Sequence, residues 1–320
     1  MKMMKNVSFI IPNYNGEKTI SLVINSILNQ IYEGGKKEII IVDDLSKDNS
    51  LNVLERYKKK IRLIKNKKNL GEVRSTNKGI RTANYEIICI ILCDYILDSK
   101  KWLKKMVDAL NSSKNVGMVG TNIILPRNTW KEYKFWDKVV LSPVFYKESK
   151  GKIKEGKPVM FKKVIFDKLG LYDESYKMGA DTDMRLNILK NGYKLVNTET
   201  KLLHYHGFYG LTAKQQIFKK SLPLTEAAGV IFRRYGFVDT IYWSFWNPIT
   251  STILYIGLFV PYLRYISLFF ILTASGYYTF LSSKYNKDIR LILVPFFKII
   301  KDIISLFGFW KGFLTNKQTF

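Results

Sequence analysis

Two histidines and a small set of aspartates carry most of the chemistry this sequence could do. His204 and His206 are the chain's only histidines. Their alternate spacing puts both on one face of an extended segment. Asp43 and Asp44 stand side by side after an isoleucine-rich run, Asp94 follows another, and Asp181 and Asp183 open a stretch of helical periodicity. Such carboxylates can accept from the N–H and O–H groups of a base and a ribose, hold a hard divalent cation or take a proton from a hydroxyl. The imidazoles can complete a metal shell. Each aspartate also has a plainer reading, because Asp is a favoured helix N-cap and a residue can be both cap and catalyst.

These groups need elements to position them. Residues 7–11, 38–42, 61–64, 87–92 and 116–120 are short apolar runs that predict strands. Ile20, Val23, Ile24, Ile27, Leu28 and Ile31 recur at helical spacing. Further helices are expected around Leu51–Tyr57, over 71–83, and at Leu103–Leu110 with Ser99 as a cap. Strands separated by helices imply a mainly parallel sheet covered on both faces. Ligands of such sheets bind outside the carboxyl ends of the strands. Asn13 to Asn15, Asp43 and Asp44, Asn66 to Gly71, and Cys93 to Tyr95 all fall there. Residues 121–160 read as irregular, with a strand at 159–161. A helix is expected over 181–191 and a strand over 194–196.

Residues 7–15 read VSFIIPNYN and 42–50 read VDDLSKDNS. They resemble the opening motifs of glycosyltransferase family 2, a strand with Pro-x-Tyr-Asn and later Val-Asp-Asp-Gly-Ser. Asn69, Gly71, Asn77 and Gly79 resemble the family's Asn-x-Gly…Asn-x-Gly spacing. Residues 158–193, PVMFKKVIFDKLGLYDESYKMGADTDMRLNILKNGY, resemble its acceptor-side block. The resemblance covers about residues 5–207. It implies an α/β fold of the GT-A nucleotide-diphospho-sugar transferase type and sugar transfer with inversion. It implies that Asp44, with Pro12, Tyr14, Asp43, Asn69 and Gly71, holds the nucleotide. Asp181 matches the family's general base, and Asp183 and Tyr172 lie on the acceptor side. A divalent cation, Mg or Mn, is implied on Asp94 with His204 or His206. Three departures from the family fall at the metal and acceptor-side motifs. The metal motif Asp-x-Asp is reduced to Asp94, with Leu92 or Cys93 at its first position. Ala180 stands for the usual Glu, and Asn187 falls near the usual Arg.

Lys and Arg number 52 against 26 Asp and Glu, a net charge of +26. This favours anionic partners. The basic residues are scattered, and no zinc-finger, basic-zipper or aromatic RNA-binding pattern occurs, so nucleic acid is not expected as a partner. The two cysteines support neither a disulfide framework nor a zinc site; their spacing within the expected strand puts them on one face. The first six residues lack the apolar core of a signal peptide, so a cytoplasmic catalytic domain is expected.

Residues 1–210 read as the catalytic domain and 211–239 as an interfacial amphipathic linker. Residues 240–320 read as a membrane-associated region, with a hairpin over 240–283 and an amphipathic helix over 288–312. The stretches 240–263 and 265–283 carry no charge and approach the ~20 residues of a bilayer span. Flanking positive charge places both ends of the hairpin in the cytoplasm. The expected partners are a nucleotide-sugar donor, a membrane, and an acceptor that is a lipid-linked glycan. Two alternatives stay open: a polyprenyl-phosphate sugar synthase, and a degenerate protein that binds nucleotide sugar without turnover.

Overall fold

The apolar runs of the N-terminal half become strands, and the periodic stretches between them become helices. β1 (Val7–Asn13), α1 (Ile20–Leu28), β2 (Lys37–Asp43), α2 (Ser50–Glu55), β3 (Arg62–Lys65), α3 (Glu72–Thr82) and β4 (Ile87–Ile90) follow one another. Next come β5 (Tyr95–Leu97), α4 (Trp102–Leu110), β6 (Val116–Ile124), α5 (Phe135–Ser149), β7 (Lys157–Lys162), α6 (Lys163–Leu169), α7 (Ala180–Lys190) and β8 (Lys194–His204). These elements come from a computed structural model that describes residues 5–149, 157–205, 210–236 and 242–318. The chain forms two compact units, one of residues 5–127, 157–174 and 180–205, the other of the remaining described residues.

In the first unit the strands form one sheet in the order β3-β2-β1-β4-β7-β6-β8-β5. β1 lies parallel to β2 and β4, β2 to β3, and β6 to β8. β7 runs antiparallel between β4 and β6, and β5 antiparallel to β8. The sheet is therefore mixed, because an apolar run records burial on two faces and not the direction of the neighbouring strand. Every residue of β1 is buried. Its Phe9 and Ile11 pack with Ile24 and Ile27 of α1, Ile41 of β2, and Trp102 and Met106 of α4 in one core. Cys89 is buried within β4, whereas Cys93 lies past the strand end in a turn. The common face expected of the two thiols therefore does not arise, and both are free.

β8 extends to His204, eight residues beyond the strand expected at 194–196. α5 occupies part of the region that reads as irregular, with Pro143 inside it.

In the second unit α8 (Ala213–Gln215) begins at a Thr212–Gln215 capping box and continues through a π-helical turn into α9 (Leu222–Tyr235). α10 (Tyr242–Gly257), α11 (Arg264–Ser283) and α12 (Val294–Thr315) follow. α9 and α12 meet backbone to backbone, since a Cβ on Gly229 or Gly312 would collide with main-chain atoms of the other helix. Lys311 on α12 pairs with the buried Glu226 of α9 at 3.0 Å. Among the described residues α11 is the one helix long and apolar enough to cross a membrane. α10, with 16 residues, spans only about 24 Å, short of a bilayer's hydrocarbon core.

Candidate active site

The carboxyl ends of β1, β2 and β3 are tied into one hydrogen-bonded floor. Asp44 N–H donates to Asn13 C=O, and Asn66 N–H to Asp43 C=O, both at 2.8 Å. Asn13 Nδ2 donates to Asp43 Oδ1 at 2.8 Å, and the Ser46 hydroxyl donates to the same oxygen at 2.6 Å. Pro12, Asn13, Asp43 and Asp44 are buried beneath the surface of this floor, and Tyr14 and Asn69 are exposed.

Asp44 holds the loop that leads into α3. Its carboxylate accepts from Leu70 N–H, Gly71 N–H and Asn66 Nδ2, each at 2.8 Å. Asn69 Nδ2 donates to its carbonyl at 3.1 Å. An anion here faces the N-terminal end of α3, where free backbone N–H groups and the helix dipole favour negative charge. Gly71 is the N-cap, at a φ of 86° that a residue with a Cβ rarely adopts. The Asn69-x-Gly71 pattern thus fixes the shape of the loop that leads into α3.

Asn77 and Gly79 serve packing. The Asn77 amide bonds both the C=O and the N–H of Tyr172, at 2.8 and 3.1 Å, and reaches Glu174 at 3.1 Å. Glu174 also pairs with Arg74 at 3.5 Å and Arg81 at 3.3 Å. Its hydrogen bond from Asn77 and the two guanidinium groups hold the carboxyl below its ordinary value. Gly79 lets α3 lie against β1, because any Cβ would strike Ile10. Tyr172 is therefore buried and anchored by α3.

At the other end of the sheet Asp94 and His204 meet. His204 Nε2 lies 3.2 Å from Asp94 Oδ2, with the two side chains 13 % and 17 % exposed. Tyr205 N–H donates to Asp94 C=O at 2.9 Å, and the Tyr95 ring stands edge-on to the imidazole. The three-residue strand β5 creates this arrangement by pairing Tyr95 with His204. A carboxylate oxygen and an imidazole nitrogen are donors that suit Mg or Mn. Two protein ligands leave the positions that these ions usually fill with water and phosphate. Among the described residues no group of three His, Cys, Asp or Glu could hold a metal. His206 lies outside the described residues.

Asp181 and Asp183 both fall in the first turn of α7. Asp183 is buried and Asp181 half-buried. Cys93 sits beside Asp94, and burial followed by that carboxylate pushes its thiol up to about 12.

Some contributors escape a reading of the sequence. Ser46 and Glu174 lie within the resembled motifs but were not among the expected site residues, although the hydroxyl bonds Asp43 and the carboxylate bonds Asn77. Leu45 has a φ of 63° and Asn15 a φ of 53°. For a leucine that conformation costs about 1 kcal/mol.

The family model for glycosyl transferase family 2 matches residues 8–169, slightly more than half of the chain. The chain belongs to that family and is a glycosyltransferase. It is 25% identical, over 99% of its length and 100% of the relative's, to the Methanococcus voltae dolichyl N-acetyl-alpha-D-glucosaminyl phosphate 3-beta-D-2,3-diacetamido-2,3-dideoxy-beta-D-glucuronosyltransferase. Among solved structures it resembles the Pyrobaculum calidifontis mannosyltransferase in complex with GDP-Man and Mn2+, with a TM-score of 0.58 and 18% identity. That match covers 95% of this chain and 86% of the other. S. aureus TarS 1–349 in complex with UDP-GlcNAc gives a TM-score of 0.51 at 14% identity, covering 94% of this chain and 89% of that one. These two likenesses establish the GT-A fold.

Proposed function

We propose that this glycosyltransferase moves a sugar from a nucleoside-diphosphate sugar to a lipid-linked glycan at the cytoplasmic face of a membrane, with inversion at the anomeric carbon. The observation that carries the reading is the Asp94–His204 pair, two metal-type donors at the carboxyl end of a nucleotide-binding sheet. Asp94 and His204 would hold a divalent cation, which when bound offsets the charge that grows on the departing diphosphate. The floor of Pro12, Tyr14, Asp43 and Asp44, with the Asn69–Gly71 loop, receives the nucleoside. Asp181 takes the proton from the acceptor hydroxyl as its oxygen attacks the anomeric carbon opposite the leaving group. Asp183 supports the acceptor side from the same helical turn.

A membrane-bound acceptor is supported by two observations. The Methanococcus voltae relative, similar over its whole length, is named for a dolichyl phosphate-linked acceptor. In the second unit, α11 exposes Ile266, Phe269 and Phe280, and α12 exposes Phe296, Ile300, Ile303, Phe307 and Leu314 at helical spacing, a surface suited to lipid. On this reading residues 1–210 are catalytic, 211–239 lie at the interface and 240–320 associate with the bilayer.

The test is a donor panel. Membranes carrying the protein receive labelled UDP- and GDP-sugars with Mn or Mg, with and without added native lipid extract. Label moving into the organic-solvent fraction, in a cation-dependent way, supports the proposal. Label retained only in water-soluble products argues against a lipid-linked acceptor. Nucleotide binding without any turnover in the presence of lipid extract supports the degenerate alternative.

A further inference from the structure

Leu45 holds a backbone conformation that suits glycine better than leucine, fixed by the bonds of Ser46 to Asp43 and Asn15. Its φ of 63° lies in the left-handed region, which disfavours a leucine by roughly a factor of ten relative to ordinary conformations. Its side chain is 44% exposed, so the core gains little from it. The motif that residues 42–50 resemble has glycine at this position, the residue for which such a φ carries no steric cost. A bulky residue kept at a strained, exposed position points to a role outside the fold.

Position indicates the role. Asp44 N–H bonds Asn13 C=O at 2.8 Å, and Asn15 N–H bonds Ser46 Oγ at 3.0 Å. These two bonds clasp the loop after β1 to the loop after β2 on either side of Tyr14 and Leu45. Lys47 N–H to Asn15 Oδ1 at 2.8 Å closes the clasp further. Tyr14 and Leu45 are thus the middle residues of two joined loops, 45% and 44% exposed. The residues that precede them, Asn13, Asp43 and Asp44, are at most 3% exposed.

An aromatic ring and a branched aliphatic chain at the mouth of a polar floor suit a planar heterocycle with hydrogen-bonding edges and apolar faces. We infer that Leu45 is a donor-binding residue that, with Tyr14, covers a face of the nucleobase. This rests on the nucleotide-sugar reading above and assigns to that site a residue specific to this chain. The fixed loop holds the side chain in place before the nucleotide arrives, which reduces the ordering cost of binding.

Calorimetric titration of UDP and GDP, with Mn2+ present, into the full chain tests this. Leu45→Gly relieves the strain and removes the side chain together, so stability and affinity should move apart. The expected result is a Tm equal to or above wild type, with the Kd of the preferred nucleotide raised about fivefold. Leu45→Met, which keeps an apolar side chain, should restore the affinity to within about twofold. Wild-type affinity in Leu45→Gly, or a lowered Tm alongside the weaker binding, overturns the inference and leaves the donor reading standing. Failure of the wild-type protein to bind either nucleotide overturns both.

Discussion

His204 Nε2 lies 3.2 Å from Asp94 Oδ2, although 110 residues separate them in the chain. If this pair holds the cation, removing either donor should slow transfer without unfolding the protein. Asp94→Asn and His204→Ala should each lower kcat by about 100-fold, the scale expected when stabilisation of a leaving group's charge is lost. Excess Mn2+ should recover part of the activity in His204→Ala, because Asp94 remains. Steady-state assays across a Mn2+ titration, with Tm measured alongside, check this. Unchanged cation dependence in both variants would remove the pair from the metal site.

Asp44 should behave as a stability residue in addition to the nucleotide-binding role proposed for it. Its carboxylate is the acceptor for two backbone N–H groups and the Asn66 amide. Asp44→Ala leaves those donors without their acceptor in a buried setting, which should cost about 2–3 kcal/mol. Urea unfolding should show a lower midpoint with an unchanged slope. A midpoint like that of wild type would mean that the loop leading into α3 finds other partners.

Glu174 gives the segment around Tyr172 an acid sensitivity. Its folded carboxyl titrates below the ordinary 4.5 because Asn77 donates to it and Arg81 and Arg74 stand nearby. A depressed carboxylate contributes stability above its unfolded value. That contribution is lost as pH falls from about 4.5 through the lower folded value. The pair is partly exposed, so the effect should stay below about 1 kcal/mol. Unfolding free energies at pH 6 and pH 3.5 should converge between wild type and Glu174→Gln at the lower pH. A constant difference across that range would contradict the assignment.

Cys93 should be a poor nucleophile despite its place beside Asp94. A thiol pushed up to about 12 by burial and by that carboxylate stays protonated at pH 8. Iodoacetamide should leave the folded protein unmodified for hours and label it quickly in urea. Rapid labelling of Cys93 in the native state would show that the turn opens.

The N-terminal half of the fold was legible because its strands are continuous apolar runs and its helices carry one apolar stripe. α3 and α7 fall within a residue of their expected bounds. β5 was not legible: three residues carry no periodicity, and the strand exists because it pairs with β8. The antiparallel setting of β7 was hidden for a similar reason, since direction is a property of the pairing. α5 escaped because its proline and lysines break the apolar pattern. Asp94 was expected after a strand and His204 in an extended segment, and the structure brings the two side chains to 3.2 Å. The parts played by Asp44 toward α3 and by Asn77 toward Tyr172 depend on tertiary hydrogen bonds that no spacing in the sequence records. The left-handed backbone at Leu45 is signalled only by the glycine of the motif that residues 42–46 resemble, because leucine itself is not a residue that seeks it.

If Asp181 is the base that activates the acceptor hydroxyl, its loss should stop transfer and spare nucleotide binding. Once the donor panel has identified a donor, transfer to the lipid fraction is measured for wild type and Asp181→Asn, with the Kd of the nucleotide measured for both. The account predicts that Asp181→Asn loses at least about 100-fold in transfer, the usual contribution of a general base, while its nucleotide affinity stays within about twofold of wild type. Transfer by Asp181→Asn at the wild-type rate would contradict it.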